Sequence, residues 1–157
     1  MNQRYVITGA PGTGKTAIIN ALKERGYSCV DENSREIITE QRINGGEILP
    51  WKNQIAFENL ISSKRAKQYA SIPKDGTYFF DRSTIDCIAY LKVNNLETSD
   101  EILEIIKNCE FNSNVFYTPI WKEIYTNDNE RKESIEKAKI IENFLLSTYQ
   151  YFDYTLI

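Results

Sequence analysis

Eight consecutive residues near the start of the chain, Gly9-Ala10-Pro11-Gly12-Thr13-Gly14-Lys15-Thr16, have the spacing of a phosphate-binding loop, G-x-x-x-x-G-K-[ST]. The residue types dictate the chemistry. Glycines let the backbone curl so that successive N–H groups converge on phosphate oxygens, and a helix starting at Lys15 adds the positive end of its dipole. Lys15 is placed to reach the β and γ phosphates, and the Thr16 hydroxyl to ligate Mg²⁺. The loop from Gly9 through Ala17 is thus the expected binding surface for a nucleoside triphosphate, ATP or GTP.

A second cluster, Asp81-Arg82-Ser83, follows the apolar run Tyr78-Phe79-Phe80. A carboxylate in that position has the Walker B pattern and holds Mg²⁺ directly or through water. ATP-hydrolysing motors usually place a glutamate next, to polarise the attacking water. Arg82 stands there instead; it cannot act as a base, but its planar fork can clamp a phosphate or carboxylate bidentately. That favours phosphoryl transfer to a bound acceptor over simple hydrolysis. No N-K-x-D, D-x-x-G or L-S-G-G-Q segment occurs, which argues against a GTPase switch and an ABC-type ATPase. The chain has no histidine, so a general base must be a carboxylate or a lysine. Asp31 and Glu32 are the candidates; strand alternation sends them to opposite sides if both stay extended, and Glu32 is preferred. Arg35 could bind an anionic acceptor group or pair with Glu32. Trp51 and Phe57 could stack on an acceptor ring or serve as packing.

The elements that must position these residues alternate strand and helix, the order of a parallel sheet flanked by helices. Tyr5-Val6-Ile7 reads as the strand before the loop, and Gly26 stops the helix after it. A second strand is expected over about Ser28 to Asp31, then a helix capped by Asn33 and ended by Asn44-Gly45-Gly46. After Pro50-Trp51 a long helix with Ile55, Leu60 and Ile61 on its apolar side runs to about Ser71. Pro73 to Gly76 is a turn, and the strand ending at Asp81 delivers the carboxylate to the edge where open α/β sheets place ligands. A helix over Ser83 to about Val93 follows. Thr98 and Glu101 fit a capping box opening a helix that carries Ile102, Leu103 and Ile106. Val115-Phe116-Tyr117 is the fourth strand, Ile135, Ala138, Ile141 and Leu145 mark the last helix, and Tyr154 to Ile157 reads as a final strand.

At 157 residues, 41% hydrophobic and 26% charged, the chain has the size and composition of one soluble domain. A net charge of -3 and pI near 5.2 give no overall basic field, so neither nucleic acid nor a membrane surface is expected as partner. Cys29, Cys87 and Cys109 are widely spaced and odd in number, which points to reduced, mostly buried thiols in a cytoplasmic protein. No signal stretch and no apolar run of membrane-spanning length is present.

The phosphate loop, Asp31 to Glu36, the Gly46 to Phe57 stretch with Pro50-Trp51, Phe80-Asp81-Arg82-Ser83 through Asp86 to Ala89-Tyr90, and Trp121 to Arg131 together resemble the NadR-like AAA-domain family. Its members are small P-loop kinase-like proteins and include the ribosylnicotinamide kinase domain. The resemblance implies a P-loop NTPase fold of the α/β class, a three-layer sandwich around a parallel five-stranded sheet, formed by residues 1–157 as one domain. It implies a lid over about 121–133 in which Arg131 closes over the transferring phosphate. Deoxynucleoside kinases are similar at two further points, a glutamate just after the second strand, where Glu32 falls, and an acidic-Arg-Ser triplet after the third. The activity implied is an ATP-dependent kinase that transfers the γ-phosphoryl to a small, nucleoside-like acceptor. Lys15, Glu32, Arg82 and Arg131 would be its catalytic residues, with Thr16 and Asp81 on Mg²⁺. Relatives usually continue past the last strand into a loop and helix that help hold the adenine. The chain stops at Ile157, so the base-binding half of the NTP site is expected to be either supplied differently or missing, and ATP versus GTP stays open. The rival reading is a nucleotide-dependent binding or regulatory module with slow hydrolysis.

Overall fold

The computed structural model describes residues 2–121 and 129–157, without the side chains of 129–134. In chain order the elements are β1 (Arg4–Thr8), α1 (Lys15–Glu24), β2 (Ser28–Val30), α2 (Ser34–Ile43), α3 (Gln54–Ser71), β3 (Tyr78–Asp81), α4 (Thr84–Val93), α5 (Asp100–Asn108), β4 (Asn114–Tyr117), α6 (Asn129–Tyr151) and β5 (Thr155–Leu156). The strands lie in the order β2-β3-β1-β4-β5, and each neighbouring pair is parallel. Parallel pairing requires crossovers, and crossovers are right-handed. The β1 to β2 crossover runs one way across the sheet and the later ones run back. So α1 covers one face and the later helices the other, giving the expected three layers. Among the described residues no helix is long and apolar enough to cross a membrane.

Two clusters fill the interior. Val6, Phe80 and Val115 of the central strands pack with Ala89 of α4 and with Ile141, Leu145 and Tyr149 of α6. Ile37, Phe57, Ile61, Ile88, Leu91 and Ile102 join α2 through α5 in the second. Parallel register brings Ile7 beside Asp81, and the Arg82 N–H donates to the Ile7 carbonyl at 2.9 Å. The acidic cluster therefore begins where the phosphate loop begins.

Several expected details shift. Asn33 sits at the N-cap of α2, but its side chain makes no capping bond; Glu32 Oε1 accepts the Ser34 N–H at 2.6 Å instead. The apolar side of α3 keeps Ile61 as expected but is otherwise rotated, with Ile55 43% exposed and Phe57, Glu58 and Ser62 buried. α5 is capped by Ser99, which accepts the Ile102 N–H, and not by Thr98. Ser99 is selected by a tertiary tie, since its hydroxyl also donates to Asn59 Oδ1 at 2.7 Å. α6 begins at Asn129, so Arg131, expected in a lid over about 121–133, falls within the helix. All three cysteines are free; Cys87 and Cys109 are buried and Cys29 is half-buried.

Candidate active site

The phosphate loop is built around close approaches. At Gly9 a Cβ atom would strike the Thr118 hydroxyl and come within 2.8 Å of the Thr118 carbonyl. Gly14, at φ 91, takes the left-handed turn from which α1 departs. Thr13 donates to the Ala10 carbonyl at 2.7 Å and shares a 2.6 Å hydroxyl bond with Thr118 at the end of β4. Lys15 is buried, and its Nζ donates to the Gly9 and Ala10 carbonyls, both at 3.0 Å. Burial, with the Arg82 charge nearby, brings its pKa down to about 8. Thr16 and Ala17 occupy the exposed first turn of α1.

Asp81 ends β3 facing this loop. Its Oδ1 is buried with no hydrogen-bond partner, and burial raises its carboxyl pKa although Arg82 and Lys15 pull the other way. A divalent cation fits this corner, because the orphaned carboxylate oxygen and the Thr16 hydroxyl border one cleft. Hard oxygen donors, few in number and completed by phosphates, suit Mg²⁺.

Arg82 holds an unusual backbone conformation for a non-glycine residue, φ 70. It is fixed by a buried ion pair, NH1 to Asp86 Oδ2 at 3.0 Å, and lies over the Tyr90 ring at 5.5 Å. Asp86 is the hub. Its carboxylate also accepts from the Thr8 hydroxyl at 2.6 Å, from the Ser83 N–H at 3.2 Å and from the Tyr149 hydroxyl. Burial alone would raise its pKa; Arg82 and Arg65, with the Thr8 and Tyr149 hydrogen bonds, outweigh burial and hold it below the ordinary value. Ser83 and Asp86 form a reciprocal capping box at the start of α4.

The loop residues Pro11, Gly12, Lys15 and Thr16 border one pocket of about 500 Å³, whose far part is a chamber between α2, α3 and α4. Asp31 and Glu32 both border it, because β2 ends at Val30 and strand alternation no longer separates them. Asp31 is bound to Lys23 at 2.8 and 2.9 Å. Arg35 and the buried Phe57 line the chamber as well. Trp51 does not; it is 56% exposed, carries the Arg42 guanidinium 5.0 Å over its ring, and borders a neighbouring groove. Apart from Trp121 and the backbone of α6 from Asn129, the lid expected over 121–133 lies outside the described residues, as does the Arg131 side chain.

Glu58, Arg65 and Tyr90 also line the chamber and were missed by the sequence reading. The available signal was phase: Gln54, Phe57, Glu58, Ile61 and Arg65 share one helical face once Phe57 rather than Ile55 is taken as inward. Burial pushes the Glu58 carboxyl up to about 7 against the pull of Arg65. Tyr149, 63 residues from Asp86 in sequence, carries no local signal at all.

The profile of the AAA domain family matches residues 4–157. No curated protein matches the chain. Among solved structures, deoxyadenosine kinase from M. mycoides with bound dATP is similar, at 18% identity and TM-score 0.65 over 99% of this chain and 89% of that one. Thymidylate kinase from Candida albicans is 15% identical, with TM-score 0.64, over 99% of this chain and 83% of its own. The NadR protein in complex with NR is 15% identical, with TM-score 0.70, and 99% of this chain covers 43% of it. With the family match running almost from end to end, the chain belongs to the AAA domain family, and its fold is that of NadR-like P-loop kinases.

Proposed function

We propose that the protein is an ATP-dependent phosphotransferase that moves the γ-phosphoryl to a small, nucleoside-like acceptor. One observation carries the reading: the pocket that holds the phosphate-loop residues Gly12, Lys15 and Thr16 extends beyond them between α2, α3 and α4, where Glu32, Arg35, Phe57 and Tyr90 line it. A hydrolase needs room only for water. A kinase needs a second seat, with a carboxylate near the acceptor hydroxyl to take its proton as the new P–O bond forms.

In this reading the loop backbone and Lys15 hold phosphates, Thr16 and Asp81 hold Mg²⁺, and Glu32 is the base. Mg²⁺ held by Thr16 and Asp81 would supply charge neutralisation to the phosphates. Arg82 contributes a guanidinium anchored through NH1 on Asp86, so its position costs little reorganisation when phosphate charge develops. Arg131 is the proposed lid cation. The structural neighbours support the fold for this chemistry, and the dATP bound to deoxyadenosine kinase and the NR bound to the NadR protein agree with a nucleotide and a small acceptor.

The test is acceptor dependence. Turnover of ATP alone should lie well below the roughly 1 to 100 s⁻¹ typical of kinases and rise strongly with a phosphorylated product when the acceptor is supplied. Fast hydrolysis that no nucleoside or small alcohol stimulates would reject the reading.

A further inference from the structure

The Asp86 carboxylate is fully buried and is served from four directions. Oδ2 accepts from the Thr8 hydroxyl at 2.6 Å and from Arg82 NH1 at 3.0 Å, while Oδ1 accepts from the Tyr149 hydroxyl and from the Ser83 N–H at 3.2 Å. Thr8 ends β1 directly before Gly9, so one carboxylate bridges the root of the phosphate loop to Arg82. The Tyr149 hydroxyl also lies 2.7 Å from Ser83 Oγ. Ser83 Oγ accepts the Ile85 N–H, and the single proton of the tyrosine goes to Asp86, so the serine donates to the tyrosine oxygen. The Tyr149 ring has little room to turn. It is 0% exposed, packed in the core with Ala138, Ile141 and Leu145 of its own helix, and set edge-on to Tyr154 at 6.0 Å. A phenylalanine would fill nearly the same space, and a buried hydroxyl is costly unless it is bonded. This one is bonded to the group that carries Arg82.

We propose that Tyr149 is a positioning residue for phosphoryl transfer: its hydroxyl fixes the Asp86 carboxylate, and Asp86 in turn holds the Arg82 guanidinium against the phosphate loop. This rests on Arg82 meeting the phosphate in flight, and it holds for transfer to an acceptor or to water alike. Arg82 borders the pocket together with Gly12, Lys15 and Thr16, and its charge is felt by both Lys15 and Asp81. Among the described residues its side chain makes one hydrogen bond, NH1 to Asp86, so that carboxylate sets the aim of the other nitrogens. A cation that stabilises developing charge must be held to within about 0.5 Å, and packed, hydrogen-bonded supporting residues do this. Without the Tyr149 hydroxyl, Oδ1 keeps only the long Ser83 bond, and the carboxylate gains a rotation that carries NH1 with it. Burial and the Asp86 charge raise the Tyr149 phenol, while Asp86 itself is held low against burial by Arg82 and Arg65. The proton therefore stays on the phenol and the negative charge stays opposite Arg82.

Calorimetric affinities for Mg-ADP alone and for Mg-ADP with aluminium fluoride, a mimic of the phosphoryl group in flight, separate positioning from mere support, and turnover at saturating ATP reads the same barrier. Tyr149→Phe should leave Mg-ADP affinity within about twofold while weakening the aluminium fluoride complex, and slowing turnover, by about 10- to 100-fold. A tyrosine that only supports the fold would weaken both complexes alike or neither. Arg82→Lys keeps a cation on Asp86 but removes the planar fork, so in that background Tyr149→Phe should cost less than about twofold further. Should Tyr149→Phe not fold, Thr8→Val, which removes the hydroxyl on Oδ2, must show the same split. Equal weakening of the two complexes, no weakening of either, or the full additional loss in Arg82→Lys would overturn the proposal. The split seen in ATP hydrolysis, with no acceptor ever phosphorylated, would reject the kinase reading and leave the role of Tyr149 standing. Phosphorylation of an acceptor at an unchanged rate in Tyr149→Phe would do the reverse.

Discussion

Lys23 grips both carboxylate oxygens of Asp31, at 2.8 and 2.9 Å, and ties that acid to a point about 12 Å along α1 from Lys15. Its neighbour Glu32 instead accepts the Ser34 N–H at the start of α2. The two adjacent acids are therefore separated by their partners, not by strand alternation. Glu32→Gln retains an oxygen for the Ser34 N–H but cannot take a proton, so acceptor phosphorylation at saturating substrates should fall by about 10² to 10⁴ with nucleotide affinity preserved. Asp31→Asn should be mild. A crippled Asp31→Asn beside an active Glu32→Gln would move the base to Asp31.

The Lys15 ammonium is disfavoured by burial, with a pKa near 8 against 10.5 unperturbed. Because the folded-state value is depressed, the unfolded chain holds more protons between those two values, and the empty protein gains stability as pH rises through that window. Phosphate charge beside Nζ restores the protonated form. Nucleotide binding above pH 8 should thus take up a proton and weaken as pH rises, and titration in buffers of different ionisation enthalpy measures that uptake directly. Proton uptake unchanged in Lys15→Met would assign the linkage elsewhere.

Mg-nucleotide should raise the thermal midpoint of the protein, and Lys15→Ala should largely abolish the rise. Thr16→Ala and Asp81→Asn should retain a smaller shift whose magnesium dependence moves to higher concentration. Identical magnesium titrations in wild type and both variants would remove those two residues from the metal.

Tyr149→Phe deletes one donor to the buried Asp86 carboxylate while keeping the ring. The expected loss is about 1 to 3 kcal/mol in denaturant unfolding at unchanged slope. Asp86 has a depressed pKa, so its contribution is present above the unfolded value, near 3.8, and disappears as pH falls through the folded one. With one hydrogen bond gone, the acid limb of Tyr149→Phe should begin at higher pH than that of wild type. Coincident acid limbs would show that the hydroxyl does not support the carboxylate.

The parts of the site that are contiguous in sequence were legible. Gly9 to Thr16 and Asp81-Arg82-Ser83 carry their own geometry, since a loop curls by its glycines and a strand end places its next residue. The helix faces were less so: Ile55 and Phe57 are equally plausible inward residues until packing chooses, and that choice hid Glu58 and Arg65. Long-range hydrogen bonds such as Thr8 and Tyr149 to Asp86 leave no trace in local pattern, because a hydroxyl reads the same whether it meets water or a buried acid. Asn33, a good cap by type, lost its role to Glu32 through a local hydrogen bond that composition could not rank.

Thr118 ties the phosphate loop to the end of β4 through Thr13, and Lys15 already bonds the carbonyls of Gly9 and Ala10. The curl of the loop is thus held by hydrogen bonds within the protein. Association should then have no ordering step to wait for, so its observed rate should climb linearly with nucleotide concentration and not level off. The lysine, by contrast, must release two carbonyls to meet its ligand. Its contribution is an exchange of partners, felt more in how long a nucleotide stays than in how fast it comes.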